Sequence, residues 1–298
     1  MAIYYIDRRS NKKVKEAVYG QKWLSLLYQD HPLFKYLCKW VARLTFLSAL
    51  YGWWQKQSWT KKKIKPFIDH YHVNDSEFLK PIKEFTSFND FFCRKLKKSA
   101  RPICSDLNRL SAPADGRYLV IPQIAQAEGF FVKGKKFTLQ SLLKDQALAN
   151  AYQEGSMVIA RLCPTDYHRF HFPADCSASK AQHLDKMLWS VNPIAVKQNI
   201  SIFTENKRVI TTLTTDTFGE VLFIEVGATN VGTIHQTYKP NQPNKKGDEK
   251  GFFSFGGSSL ILLFKQNSII FDQDLITNSS QYIETLCLMG EGIGSIKK

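Results

Sequence analysis

The stretch Phe255-Gly256-Gly257-Ser258-Ser259-Leu260-Ile261-Leu262-Leu263-Phe264 opens on glycines and hydroxyls and runs into five consecutive apolar residues. An apolar run of that kind, entered through two glycines and two hydroxyls, reads as a buried strand. Outward from it, β-rich runs alternate with turn residues at 118–121, 157–162, 201–203, 208–213 and 221–226. That texture predicts a mainly antiparallel β core. One helical insert is expected over 139–152, and the polar stretch 239–250, with Pro240, Pro243 and Gly247, reads as a mobile loop.

Before residue 101 the texture differs. Residues from about 10 to 80 read as helical, with breaks near Pro32, Gly52 and Pro66, and Ser87 reads as an N-cap of a short helix through Lys98. The expected fold is α+β: an amphipathic helical region over residues 1–100, packed on a β-rich catalytic core over 101–298.

Charge follows the same division. The chain has 298 residues and a net charge of +15, and its first hundred residues hold 20 Lys and Arg against 8 Asp and Glu. Basic residues there alternate with Leu33, Phe34, Tyr36, Leu37, Trp40, Trp53 and Trp54 at spacings of three and four. The apolar run 44–54 is eleven residues long, against about twenty needed to span a bilayer. An interfacial helix fits, with Lys35, Lys39 and Arg43 near lipid phosphates and Trp40, Trp53 and Trp54 at headgroup depth. A stripe packed on the rest of the protein fits equally. The first ten residues carry Asp7, Arg8 and Arg9 and lack the apolar core of a secretory signal. Six scattered cysteines show no CxxC or other metal spacing, so reduced thiols and no metal site are expected.

Three segments could carry chemistry. Pro113-Ala114-Asp115-Gly116 reads as a turn, with its own local hydrogen bonds. In Asp166-Tyr167-His168-Arg169-Phe170-His171 two histidines lie three residues apart. On a strand that separation sends them to opposite faces, which suits two different roles rather than shared metal ligation. At Gly256-Gly257-Ser258-Ser259 a bulge is one reading. The other is a serine hydroxyl able to attack the carbonyl of the glycine before it, since glycine permits close approach. Asp115, His171 and Ser258 supply carboxylate, imidazole and hydroxyl, but a triad is defined by geometry.

With these segments quoted, the chain resembles the phosphatidylserine decarboxylase family. The resemblance runs from Ile3-Tyr4-Tyr5-Ile6-Asp7-Arg8 to Met289-Gly290-Glu291-Gly292-Ile293-Gly294. Between lie Phe88-Asn89-Asp90-Phe91-Phe92-Cys93-Arg94, Ala100-Arg101-Pro102-Ile103, the Asp115 turn, Val132-Lys133-Gly134 and the two-histidine block. Val226-Gly227-Ala228-Thr229-Asn230-Val231-Gly232 and Lys246-Gly247-Asp248-Glu249-Lys250-Gly251 follow. The resemblance implies a proenzyme cut between Gly257 and Ser258 into chains 1–257 and 258–298. It further implies a covalent pyruvoyl (pyruvate) group made from Ser258, which forms a Schiff base with phosphatidylserine and yields phosphatidylethanolamine.

By resemblance, Asp115 orients His171, His171 is the base for Ser258, and His168 serves the decarboxylation. The family often reads Leu-Gly-Ser-Thr at the cut; Gly256 and Ser259 replace the first and last of these. The extra glycine is expected to loosen the turn and alter the maturation rate. A homodimer of the cleaved pair, an anionic membrane surface at the cytoplasmic face and no nucleic-acid partner complete the expectation. Two rivals stand beside it. A serine hydrolase uses the same three groups, though no Gly-x-Ser-x-Gly elbow surrounds Ser258. A basic binding protein explains the charge and not the serine.

Overall fold

A computed structural model describes residues 3–16, 50, 52–126, 131–132, 135–136, 138–184, 206–227, 233–254 and 258–297. In chain order its strands are β1 (Tyr4–Asp7), β2 (Lys12–Lys15), β3 (Arg109–Ser111), β4 (Gly116–Ile121), β5 (Phe131–Val132) and β6 (Lys135–Lys136). Next come β7 (Ser156–Leu162), β8 (Arg169–His171), β9 (Cys176–Ala178), β10 (Gln182–Leu184), β11 (Arg208–Thr215) and β12 (Gly219–Gly227). The last are β13 (Ile234–Gln236), β14 (Pro243–Asn244), β15 (Glu249–Phe253), β16 (Ser258–Phe264), β17 (Ile269–Phe271), β18 (Glu284–Cys287) and β19 (Gly292–Ile296). Helices with described bounds are α1 (Ile64–Tyr71), α2 (Phe88–Phe92), α3 (Leu139–Leu143), α4 (Gln146–Tyr152) and α5 (Gln273–Ser280).

The unbroken apolar run does become a central strand. All seven residues of β16 are buried, and it pairs antiparallel with β12 on one side and β7 on the other. The sheet runs β14-β9-β11-β12-β16-β7-β4-β18-β1-β2, with β10 also on β11, and among the described residues only β1 and β18 pair in parallel. Period-two alternation splits the side chains of this sheet between two cores. Ile159, Ile210, Leu222, Ile224, Ile261 and Leu263 meet Leu142, Leu143 and Tyr152 of α3 and α4. Val158, Phe223, Leu260 and Leu262 face the other way, onto Phe170 and Phe253 of the small sheet β13-β15-β8. The fold is therefore α+β and mostly antiparallel. Ahead of it, Phe67, Phe78, Phe85, Phe88, Phe91 and Phe92 form a third, largely aromatic cluster.

Several local expectations change. Residues 12–15, read as helical, form an edge strand that belongs with β1 to the central sheet. The insert 139–152 is two helices: Lys144 takes φ +56°, and the Asp145 side chain caps a new start at Leu148 N, 3.0 Å away. Ser87 does cap α2, accepting from Asp90 N at 3.1 Å. That helix stops at Phe92, however, because Lys95 and Leu96 turn back to pair with Leu79 and Phe78. The polar stretch 239–250 is not a free loop: it contains β14 and the start of β15, and its last residue, Lys250, is fully buried. The expected strand at 201–203 and most of the amphipathic stripe, including Lys35, Lys39, Trp40 and Arg43, lie outside the described residues. None of the described helices is long and apolar enough to cross a membrane.

Candidate active site

One end of the central sheet gathers the residues singled out in the sequence. Asp115 immediately precedes β4, the 163–168 segment follows the end of β7, and β16 begins at Ser258. The registers Arg117↔Arg161, Leu162↔Ser258 and Gly227↔Ser258 hold these strand ends side by side.

Ser258 is fully buried, and its hydroxyl has no hydrogen-bond partner among the described residues; the same holds for Ser259. Alternation along β16 places Ser258 on the side of Leu260 and Leu262, towards the small sheet, and Ser259 towards the helices. Gly257 lies outside the described residues. A buried hydroxyl without a partner is costly and calls for an explanation.

The two histidines belong to the strand edge that faces this end. The carbonyl of His168 accepts from Phe253 N at 2.9 Å, five residues before Ser258. The ring of His168 is fully buried, packs on Phe92 with 3.9 Å between centroids, and directs Nδ1 to the Asp166 carbonyl at 2.9 Å. Nδ1 therefore carries the proton, because a carbonyl only accepts. His171 is fixed by the same logic: Nδ1–H donates to the Gly247 carbonyl at 2.9 Å, and Nε2 accepts from the Tyr167 hydroxyl at 3.2 Å. Gly247 offers that carbonyl from a φ of +88°, a conformation that favours glycine. Burial pushes the His171 pKa below its ordinary value, against the hydrogen bond to Gly247 and the charges of Glu249 and Asp115, which push it up. It is a neutral imidazole with a basic Nε2 at neutral pH.

Asp115 is close enough to act on His171 by its charge but makes no hydrogen bond to it. Its carboxylate instead accepts from Arg101 Nε at 2.9 and 3.1 Å, from Arg101 Nη2 at 2.6 Å and from Met289 N at 2.9 Å. Asp115, expected to orient His171, is not hydrogen-bonded to it in the structure; the ring's Nδ1 is held by the Gly247 carbonyl. The physical reason is the neighbouring guanidinium, a stronger partner for a buried carboxylate than a neutral imidazole. Arg101, Gly247 and Tyr167 were legible only as members of sequence blocks, since their partners come from the fold.

A second ionic group braces the same strand ends. Arg161 donates to Glu16 at 2.6 and 2.9 Å and to Glu284 at 2.5 and 2.9 Å, while Arg117 pairs with Asp166. Asp166 also accepts from Cys163 N at 2.6 Å, closing the loop that leads to His168. Arg94 adds donors to the carbonyls of Thr165 and Asp166 at 2.9 and 3.1 Å. His168 thus stands on a loop braced by ion pairs and backbone hydrogen bonds.

Buried Ser258, at the head of β16, and buried His168 and His171, on the segment paired with β15, thus come to the same end of the central sheet. A sequence model of phosphatidylserine decarboxylase matches residues 88–295. The chain is 50% identical to a phosphatidylserine decarboxylase proenzyme of Chlamydia pneumoniae over 290 residues, covering 97% of this chain and 96% of the relative. Against the proenzyme of Chlamydia felis it is also 50% identical, covering 98% and 97%. The corresponding proenzyme of Chlamydia muridarum is 45% identical over 293 residues, 97% of this chain and 96% of the relative. The chain belongs to the phosphatidylserine decarboxylase family.

Proposed function

We propose that the chain cuts itself between Gly257 and Ser258, converts Ser258 into a pyruvoyl group, and with it decarboxylates phosphatidylserine to phosphatidylethanolamine. The observation that carries this reading is the buried Ser258 hydroxyl, unpartnered among the described residues, at the head of a central strand. A small carbonyl group in its place loses no hydrogen bond to those residues.

In maturation, the Tyr167 hydroxyl turns away from Nε2, and neutral His171 accepts the Ser258 proton there. The oxygen attacks the Gly257 carbonyl carbon, forming an ester and freeing the nitrogen of residue 258. Elimination releases the carboxylate of chain 1–257, and hydrolysis of the resulting dehydroalanine expels ammonia. The group left at residue 258 supplies an electron-withdrawing ketone that ordinary side chains lack. Asp115 favours positive charge on His171 through space, and His168 delivers the proton that replaces carbon dioxide. A second reading exchanges the imidazoles. It is favoured by register, since His168 is bonded to Phe253 whereas His171 lies opposite Glu249, farther from Ser258 along the chain. Under the first assignment His171→Gln stays uncut and His168→Gln is cut but inactive; the reverse pattern selects the second.

Attachment at the cytoplasmic membrane face, as a homodimer of the cleaved pair, belongs to the same proposal. Trp53 and Trp59 are 55% and 52% exposed beside the basic run Lys61-Lys62-Lys63, while Trp54 lies under the Lys63 ammonium at 3.5 Å. Each basic residue near an anionic surface adds about 1 kcal/mol of attraction.

The test is incubation of wild-type and Ser258→Ala protein with vesicles containing phosphatidylserine. Wild type gives two chains and releases carbon dioxide, and Ser258→Ala gives neither. Carbon dioxide from the uncut variant refutes the reading.

A further inference from the structure

The polar stretch that ends at Lys250 carries a group the mechanism above does not use. Lys250 and Glu225 are both fully buried, with Nζ 2.5 Å from Oε1. The ammonium also donates to Gln236 Oε1 at 2.9 Å and Thr211 Oγ1 at 3.1 Å, so its three hydrogens meet three acceptors. Phe223, Tyr238 and Phe170 surround it, with centroids 4.8, 4.9 and 5.7 Å away. Gln236 closes the group by donating to Glu225 at 3.1 Å. One side chain of β15 is thereby joined to β11 and β12 of the central sheet and to β13 beside it.

The position of this group matters more than its energy. Glu225 lies opposite Leu260, two residues beyond Ser258 on β16. Residue 249, next to Lys250, lies opposite His171 on β8. The chain leaving β15 at Phe253 reaches Ser258 five residues later. Buried ion pairs are poor stabilisers, because loss of hydration offsets their attraction, and apolar replacements of the same volume often fold as well. What an ion pair supplies is register. Phenylalanine rings between two sheets tolerate small slides, whereas an ammonium with three fixed acceptors does not.

We propose that Lys250 and Glu225 are positioning residues that hold the end of β15, and so the Gly257–Ser258 junction, in the alignment needed for self-cleavage. The proposal rests on the maturation reading above. After the cut, both residues remain in the larger chain and hold its new C-terminal segment in place.

The experiment follows self-cleavage of full-length protein by denaturing gel over time, alongside urea unfolding of each protein. Lys250→Met with Glu225→Gln removes both charges and roughly keeps volume. The expected result is a urea midpoint close to that of the uncut Ser258→Ala protein with cleavage slowed about ten-fold or more, as displacement of reacting groups by a fraction of an ångström predicts. Leu143→Ala, a cavity in the helix-covered core, is the control: it lowers the midpoint and leaves the cleavage rate unchanged. Cleavage of the double variant at the wild-type rate overturns the proposal. If the double variant does not fold, Thr211→Val decides, since it removes one acceptor and leaves the ion pair; slower cutting supports the pin and an unchanged rate overturns it. A wild-type protein that never cuts refutes the maturation reading instead.

Discussion

Arg101 grips Asp115 with Nε and Nη2, and both side chains are almost wholly buried. Removing the guanidinium strands a buried carboxylate, which costs about 3–5 kcal/mol. Arg101→Met should therefore lower the urea midpoint by that equivalent and slow maturation, whereas Asp115→Asn with Arg101 intact should slow maturation with less loss of stability. His171 gives a pH prediction. Because burial depresses its pKa, the imidazole stays neutral through the ordinary histidine range of about 6.5. Self-cleavage should hold its plateau through that range and fall only at lower pH. Its contribution to stability has the same sign: present above the ordinary histidine pKa and lost as pH falls through the depressed one. A cleavage profile with its inflection at or above about 6.5 contradicts this. The types and spacing of Asp115, His168, His171 and Ser258 marked them in the sequence as candidates. Their partners were not legible there, because Gly247 is 76 residues from His171 and Met289 is 174 from Asp115.

Among the elements, the N-terminal hairpin was least legible. In Lys12-Lys13-Val14-Lys15 only Val14 is even half-buried, so no alternation marks a strand. Charged edge strands of this kind blunt further pairing, and the same lysines imitate a basic helix. Yet the hairpin delivers Glu16 to Arg161. Burial alone would raise the Glu16 pKa, but the charge and hydrogen bonds of Arg161, with Arg117, hold it at about 2. The stability this carboxylate supplies is present above the ordinary glutamate pKa and lost as pH falls through about 2. Acid unfolding of wild type and Glu16→Gln should show it: the variant is less stable at neutral pH, and the gap closes at low pH. A constant gap would place the effect elsewhere. The central strands were legible because burial on both faces leaves unbroken apolar runs, as in β16. The 239–250 stretch was misread because its composition is polar while its burial depends on Glu225, 25 residues from Lys250.

Viewed whole, the sheet order would hold the two chains of the proposed cut together. Chain 258–298 supplies β16 between β12 and β7, β18 between β4 and β1, and β19 between β17 and β3. Two of those insertions lie inside the central sheet, so separating the chains means breaking ladders on both sides of each strand. The cleaved protein should elute as one species from a sizing column in native buffer and as two only in denaturant. Separation in native buffer would contradict the sheet order. The same arrangement explains why the serine is buried before any cut: a central strand must start somewhere, and this one starts at Ser258. The most direct measurement is the intact mass of the purified protein after incubation. The account predicts one chain ending at Gly257 and a second spanning 258–298, lighter by one ammonia than its serine-ended form. A single 298-residue chain with an unmodified Ser258 would contradict it.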